Sequence, residues 1–355
     1  MNTYVKTREE DLKRLYESFG YSPFKMSKFE EYDLYVRNKS FLVSDHIITF
    51  TDTDGKLMAL KPDVTLSIVK NSPECESGVR KMYYNENVYR VPRGGFSFKE
   101  IMQTGLECIG DIDTYRISEV LILAAKSLEI MSPDYVMDVS HMGIVAFAID
   151  RLSLSADGRK RIVKCLGEKN IHGIDAVCAA ENVDVAKADV LKRLIVIKGG
   201  CEEMLEILRD SEAYDEALAF AETVSAVKKM GYNVNIDFSV TDDINYYSGI
   251  VFKGFVKGIP TSVLSGGRYD NLMKKMGKNA GAIGFAVYLD CFARFDSNDA
   301  EYDADALIIY DDSCSVIDVL KAVESFSSKN MRAITAKCVD EGLKCREIVD
   351  LRGEK

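Results

Sequence analysis

Gln103 and Glu107 are the residues whose types and spacing most plainly offer chemistry. They stand four apart in KEIMQTGLECIG, a stretch rich in β-forming residues. A strand's period of two puts both on one side of the sheet. An amide and a carboxylate held together suit a small zwitterion that also carries a ring N–H. The same spacing fits a polar strand face turned to water, so the pair does not decide by itself. Upstream, MYYNENVYRV reads as the partner strand, and Pro92-Arg93-Gly94-Gly95 as the hairpin loop between them.

Other chemistries find less support. The three histidines, His46, His141 and His172, have no metal-ligand partner at helical or hairpin spacing. No Ser-His-Asp or Cys-His set suggests itself. The nine cysteines form no C-x-x-C pair, and their number is odd. Reduced, mostly buried thiols are expected, with no metal and no cofactor. There is no G-x-G-x-x-G after a strand and no Walker loop. A net charge of −10 disfavours tight binding to a phosphate backbone. No run approaches the roughly 20 apolar residues of a membrane span. The charged N-terminus, MNTYVKTREEDLKRL, lacks the apolar stretch of a signal peptide. A cytoplasmic protein is expected.

The elements that must position the pair follow from periodicity. Lys6 to Gly20 predicts an amphipathic helix, with Leu12, Leu15, Tyr16 and Phe19 on one face. SPFKMSKFEEYDLYV reads as irregular or extended. SDHIITFTD and KLMALKPDVT flank Thr53-Asp54-Gly55, a strong hairpin turn, and Pro62 ends the pairing. VTLSIVKNS starts a short helix. Asp113 to Met131 is helical, and YVMDVSHMGIVAFAI passes from strand to helix. From Arg151 to Met230 the pattern is continuously helical. Sheet character returns at VNIDFSV and NYYSGIVFKGFV, followed by Ser265-Gly266-Gly267-Arg268-Tyr269-Asp270. A helix starts at Asp270, and AGAIGFAVYLDCFARF runs from strand into helix. DALIIY, SVIDVLKAVESFSS and MRAITAK form a strand–helix–strand tail, the order of a parallel crossover. The expected class is α+β, an antiparallel sheet flanked by helices. The expected division is a core in two parts, residues 1–150 and 231–298, a helical insertion at 151–230, and a truncated α/β module at 299–355.

These segments, taken in order, resemble the catalytic module of class II aminoacyl-tRNA synthetases, and within it the histidyl branch. FTDTDGKLMALKPDVT is similar to that branch's strand pair ending in Pro-acid-x-Thr. VYRVPRGGFSFKEIMQTGLECIG resembles its second signature hairpin, INYYSGIVF and SGGRYDNL its histidine motifs, and AIGFAVYLD its third signature. The resemblance implies a histidine pocket. Asp63, Thr65 and Gln103 would hold the α-ammonium group. Glu107 and Tyr247 would hold the imidazole, with Tyr246 beside them and Tyr269 as a wall. Arg90 matches the second signature's arginine and marks a residual phosphate site.

The departures carry as much information. Asp242 stands where the branch has an arginine, and Asp290-Cys291 where it has Glu-Arg. Adenylate formation needs fixed cations against the developing phosphate charge. A carboxylate there would repel the triphosphate. Asp63 replaces a usual glutamate, and Ser27 a usual proline. The tail matches only the first part of the synthetase's anticodon-reading module. The pattern is similar to the synthetase-like regulatory subunits of ATP phosphoribosyltransferase. That resemblance implies a non-catalytic chain, histidine as feedback ligand, and the short catalytic subunit as partner. It also implies a class II-type homodimer core within a hetero-oligomer, with no tRNA and no membrane. The alternatives are an active histidyl-tRNA synthetase and a stand-alone histidine sensor.

Overall fold

A computed structural model describes residues 3–42, 46–72, 78–91, 96–198, 200–241, 246–292, 302–329, 331–339 and 342–353. The chain divides into two compact units. One is Val5–Cys291; the other is Phe292–Lys355 with Met1–Tyr4.

The large unit opens with helix α1 (Thr3–Ser18), whose Leu12 and Tyr16 are fully buried. Strands β1 (Ser22–Pro23) and β2 (Phe29–Glu31) follow, then helix α2 (Tyr32–Arg37). The helix is a departure from the extended reading of this stretch. Asp33 and Arg37 pair one turn apart on the exposed side, and Tyr35 is buried. The predicted hairpin is β3 (Thr49–Thr51) with β4 (Leu57–Leu60), antiparallel, and β2 pairs on the other side of β4. Helix α3 (Thr65–Asn71) buries Leu66, Ile68 and Val69.

The central hairpin is β5 (Val79–Arg90) with β6 (Lys99–Gly110), twelve residues each, in unbroken antiparallel register. The predicted loop Pro92–Gly95 lies outside the described residues. Helix α4 (Thr114–Met131) begins at Asp113, whose carboxylate accepts from the Arg116 N–H at 2.8 Å and caps it. Strand β7 (Tyr135–His141) runs into helix α5 (Met142–Asp150). A block of helices follows: α6 (Ala156–Gly167), α7 (Ile171–Ala180), α8 (Asp189–Ile195), α9 (Gly200–Leu208) and α10 (Tyr214–Lys229). Then come β8 (Val234–Ile236), β9 (Ile250–Val256), β10 (Leu264–Arg268), α11 (Asp270–Lys275) and β11 (Gly281–Tyr288).

Eight strands form one sheet in the order β1-β5-β6-β11-β10-β9-β7-β8. The inner pairs are antiparallel, and the two outer pairs, β1/β5 and β7/β8, are parallel. α4 lies across one face, burying Val120, Leu121, Ala124 and Leu128. β2, β3 and β4 form a separate three-stranded sheet. Among the described residues no helix is long and apolar enough to cross a membrane.

The small unit is a three-stranded parallel sheet, β13 (Ala333–Ala336), β12 (Ala304–Ile309) and β14 (Cys345–Asp350) in that order, with helix α12 (Val316–Ser327). Phe326 of α12 packs on Ala306 and Ile308 of the central strand. β14 adds a strand to the predicted crossover. Its burial is slight along its length, so CREIVD carries little apolar alternation to announce it.

Candidate ligand cavity on the sheet

The face of the large sheet away from α4 holds a cavity of about 650 Å3, a volume that suits a small-molecule ligand. Strand register sets its floor. Tyr84, Gly105, Ala286, Ser265 and Lys253 lie in one row across β5, β6, β11, β10 and β9. Small residues in the middle of that row keep the floor low. The neighbouring row runs from Glu107 through Gly284 and Gly267 to Val251.

Glu107 sits at one end, 2% exposed. The Thr65 hydroxyl donates to its Oε1 at 2.8 Å, and the Tyr269 hydroxyl donates to its Oε2 at 2.6 Å. Burial pushes the Glu107 carboxyl up to about 8, against those two hydroxyls, which favour the ionised form; nearby Asp63 adds to the rise. When ionised, each carboxylate oxygen keeps a further lone pair for a ligand N–H. Gly284 makes this arrangement possible. A Cβ there would lie 1.8 Å from Glu107 Oε2.

Three tyrosines wall this end. The Tyr246 ring is 4.7 Å from that of Tyr247 and 5.9 Å from that of Tyr269, centroid to centroid. Tyr247 lies directly on Gly267, where a Cβ would come 2.5 Å from the ring. Burial pushes the Tyr246 and Tyr269 hydroxyls well above their ordinary range, so they stay protonated and able to donate.

Asp63, at the N-terminal approach to α3, accepts from the Leu66 N–H at 2.9 Å. Burial raises its carboxyl, while that hydrogen bond and the charge of Arg90 oppose the rise. Arg90 and Gln103 are 7% and 4% exposed and line the same cavity.

So the structure brings all seven predicted pocket residues, and Arg90, around one cavity. One detail differs in emphasis: Thr65 donates to Glu107 here, so its hydroxyl already serves the carboxylate as well as any ammonium group. Asp242 lies outside the described residues. Asp290 lines the far part of the cavity, where its Oδ2 accepts from the Met102 N–H at 3.1 Å. Cys291 is beside it, half-buried. Among the described residues no cluster of His, Cys, Asp or Glu could hold a metal.

Sequence reasoning passed over Tyr84, Ser265 and Lys253. Lys253 left the clearest signal, a charge in the otherwise apolar strand IVFKGFV. In a sheet covered on both faces such a charge needs a reason to be there.

The model of the histidyl-tRNA synthetase family matches residues 2–291. The chain belongs to the histidyl-tRNA synthetase family. Within it, the chain groups with the ATP phosphoribosyltransferase regulatory subunits. That of Caldanaerobacter subterraneus is 30% identical over 81% of this chain and 77% of its own length. Among solved structures, an ATP phosphoribosyltransferase regulatory subunit/histidyl-tRNA synthetase from Bacillus halodurans superposes with a TM-score of 0.82 at 21% identity. The match covers 99% of this chain and 95% of that one. A chain of the ATP phosphoribosyl transferase complex from Thermotoga maritima gives 0.62 at 17% identity, covering 80% and 97%. These two likenesses show the class II synthetase fold: a largely antiparallel sheet with helices around it.

Proposed function

We propose that the chain is the non-catalytic regulatory subunit of an ATP phosphoribosyltransferase. It acts with a short catalytic subunit in the cytoplasm, at the first step of histidine biosynthesis. Histidine is its ligand and feedback signal. The names of its relatives and the Thermotoga complex support the partner.

One observation carries the reading: the cavity holds a hydroxyl-clamped carboxylate at one end and a second carboxylate, Asp290, at the other. The first end suits neutral histidine. Glu107 accepts one ring N–H, and a tyrosine hydroxyl gives to the other nitrogen. Asp63, Thr65 and Gln103 surround the ammonium group. The second end lies where the resemblance puts the triphosphate, and a carboxylate there works against it. Recognition without activation follows. Histidine then regulates by binding one arrangement of the complex more tightly than another. The core pairs as a homodimer through α1 and the strand after it.

The test is to mix the purified chain with a short catalytic subunit and assay phosphoribosyl transfer with and without histidine. Activity should depend on the chain and fall with histidine. Histidine-dependent ATP–pyrophosphate exchange by the chain alone would overturn the proposal.

A further inference from the structure

The proposed ligand has an anionic group, and the residues gathered at the Glu107 end are carboxylates, hydroxyls and an amide. A carboxylate buried there needs a cation. Among the described residues three cations line the cavity: Arg90, Lys99 and Lys253. Arg90 is close enough to Asp63 to act on its charge, at the ammonium end. Lys99 is on β6, four residues from Gln103 and eight from Glu107. At the rise of a strand that is about 13 and about 27 Å along the sheet. Lys99 is therefore too far along the sheet for a group two or three bonds from an imidazole held at Glu107, and Arg90 already faces the Asp63 carboxyl.

Lys253 is placed differently. In the register it falls in the row of Gly105, between the levels of Gln103 and Glu107. It is one strand over from Gly267, the residue on which Tyr247 rests. One strand spacing and one two-residue step put its Cα about 8 Å from that of Gly267. A four-carbon stem covers most of that distance. On the floor between, Ser265 Oγ is 2.5 Å from the Tyr288 hydroxyl, and Gly266 carries no side chain. Lys253 is half-buried, so a salt bridge there is less screened than one in water.

We propose that Lys253 receives the α-carboxylate of the bound amino acid and so selects histidine over imidazole compounds that lack it. This rests on the histidine reading of the cavity and adds the missing counter-charge to it.

The experiment is calorimetric titration of the full chain, alone and with the catalytic subunit, using histidine, histidine methyl ester and histamine. Three proteins are compared: wild type, Lys253→Met and Lys253→Arg. Wild type should prefer histidine over both analogues. Lys253→Met should weaken histidine about 10- to 100-fold, the range of a charge-assisted hydrogen bond, and leave histamine unchanged. Lys253→Arg should keep most of the preference. Equal losses for histidine and histamine in Lys253→Met, or no loss for either, overturn the proposal while leaving the histidine pocket standing. Wild type binding histidine and its methyl ester equally overturns it without any variant. No histidine binding by wild type in either setting overturns the pocket reading and this proposal together.

Discussion

Substituting Gly284 by alanine tests the centre of the site without removing any polar group. The added Cβ would come 1.8 Å from Glu107 Oε2 and 2.4 Å from the Leu106 carbonyl oxygen. One neighbour is a side chain that can rotate; the other is the backbone of the paired strand. Overpacking of this kind costs about 1–3 kcal/mol. If Glu107 swings away, it leaves the Tyr269 hydroxyl, and losing a buried hydrogen bond adds about 1–3 kcal/mol. The combined cost is about 2–6 kcal/mol, which at about 2–4 °C per kcal/mol lowers the melting temperature by about 4–24 °C. Thermal and urea melts of wild type, Gly284→Ala, Glu107→Ala and the double variant form a cycle. The double variant should lose clearly less than the sum of the singles, because the side-chain clash is gone and only the backbone clash remains. Gly284→Ala melting within a degree of wild type, or strict additivity in the cycle, would refute the packing described here.

Three further outcomes are expected. Glu107→Ala should weaken histidine binding by about 1–3 kcal/mol, from a ring N–H left unpaired; equal binding by calorimetry would misplace the site. The Glu107 carboxyl is raised from 4.5 to about 8, so its contribution to stability is full below the lower value and lost as pH rises through the upper one. Wild type should therefore lose stability between about pH 5 and pH 8 relative to Glu107→Gln, and parallel pH–melting curves would contradict this. Lys61 is fully buried with Nζ 2.6 Å from Glu86 Oε2. Lys61→Met should destabilise by about 3–5 kcal/mol by stranding Glu86, and adding Glu86→Leu should recover much of it; urea melts giving no recovery would show that the pair is not the cause.

What the sequence made legible was whatever repeats along one element. The alternation of β6 placed Gln103 and Glu107 on one face, and the Asp-Gly turn fixed the β3–β4 hairpin. What it hid depends on neighbours distant in the chain. Thr65 and Tyr269 converge on Glu107 from 42 and 162 residues away, and no spacing rule reports that. Strand β10 went unread because Gly266 and Gly267 carry no β signal. They are glycines because Phe285 and Tyr247 press against them. Lys253 stood out in the strand, yet its place in the row of Gly105 needed the registers of β9, β10 and β11 together. α2 was missed because six residues are too few for a helical period to stand out.

The outer strands of the large sheet have a consequence for how molecules meet. An open strand edge is a row of unpaired N–H and C=O groups that can recruit a further strand. Here the outermost strands are only two and three residues long, and the shorter one ends in Pro23, which has no N–H to offer. These two strands offer almost no template for lateral growth.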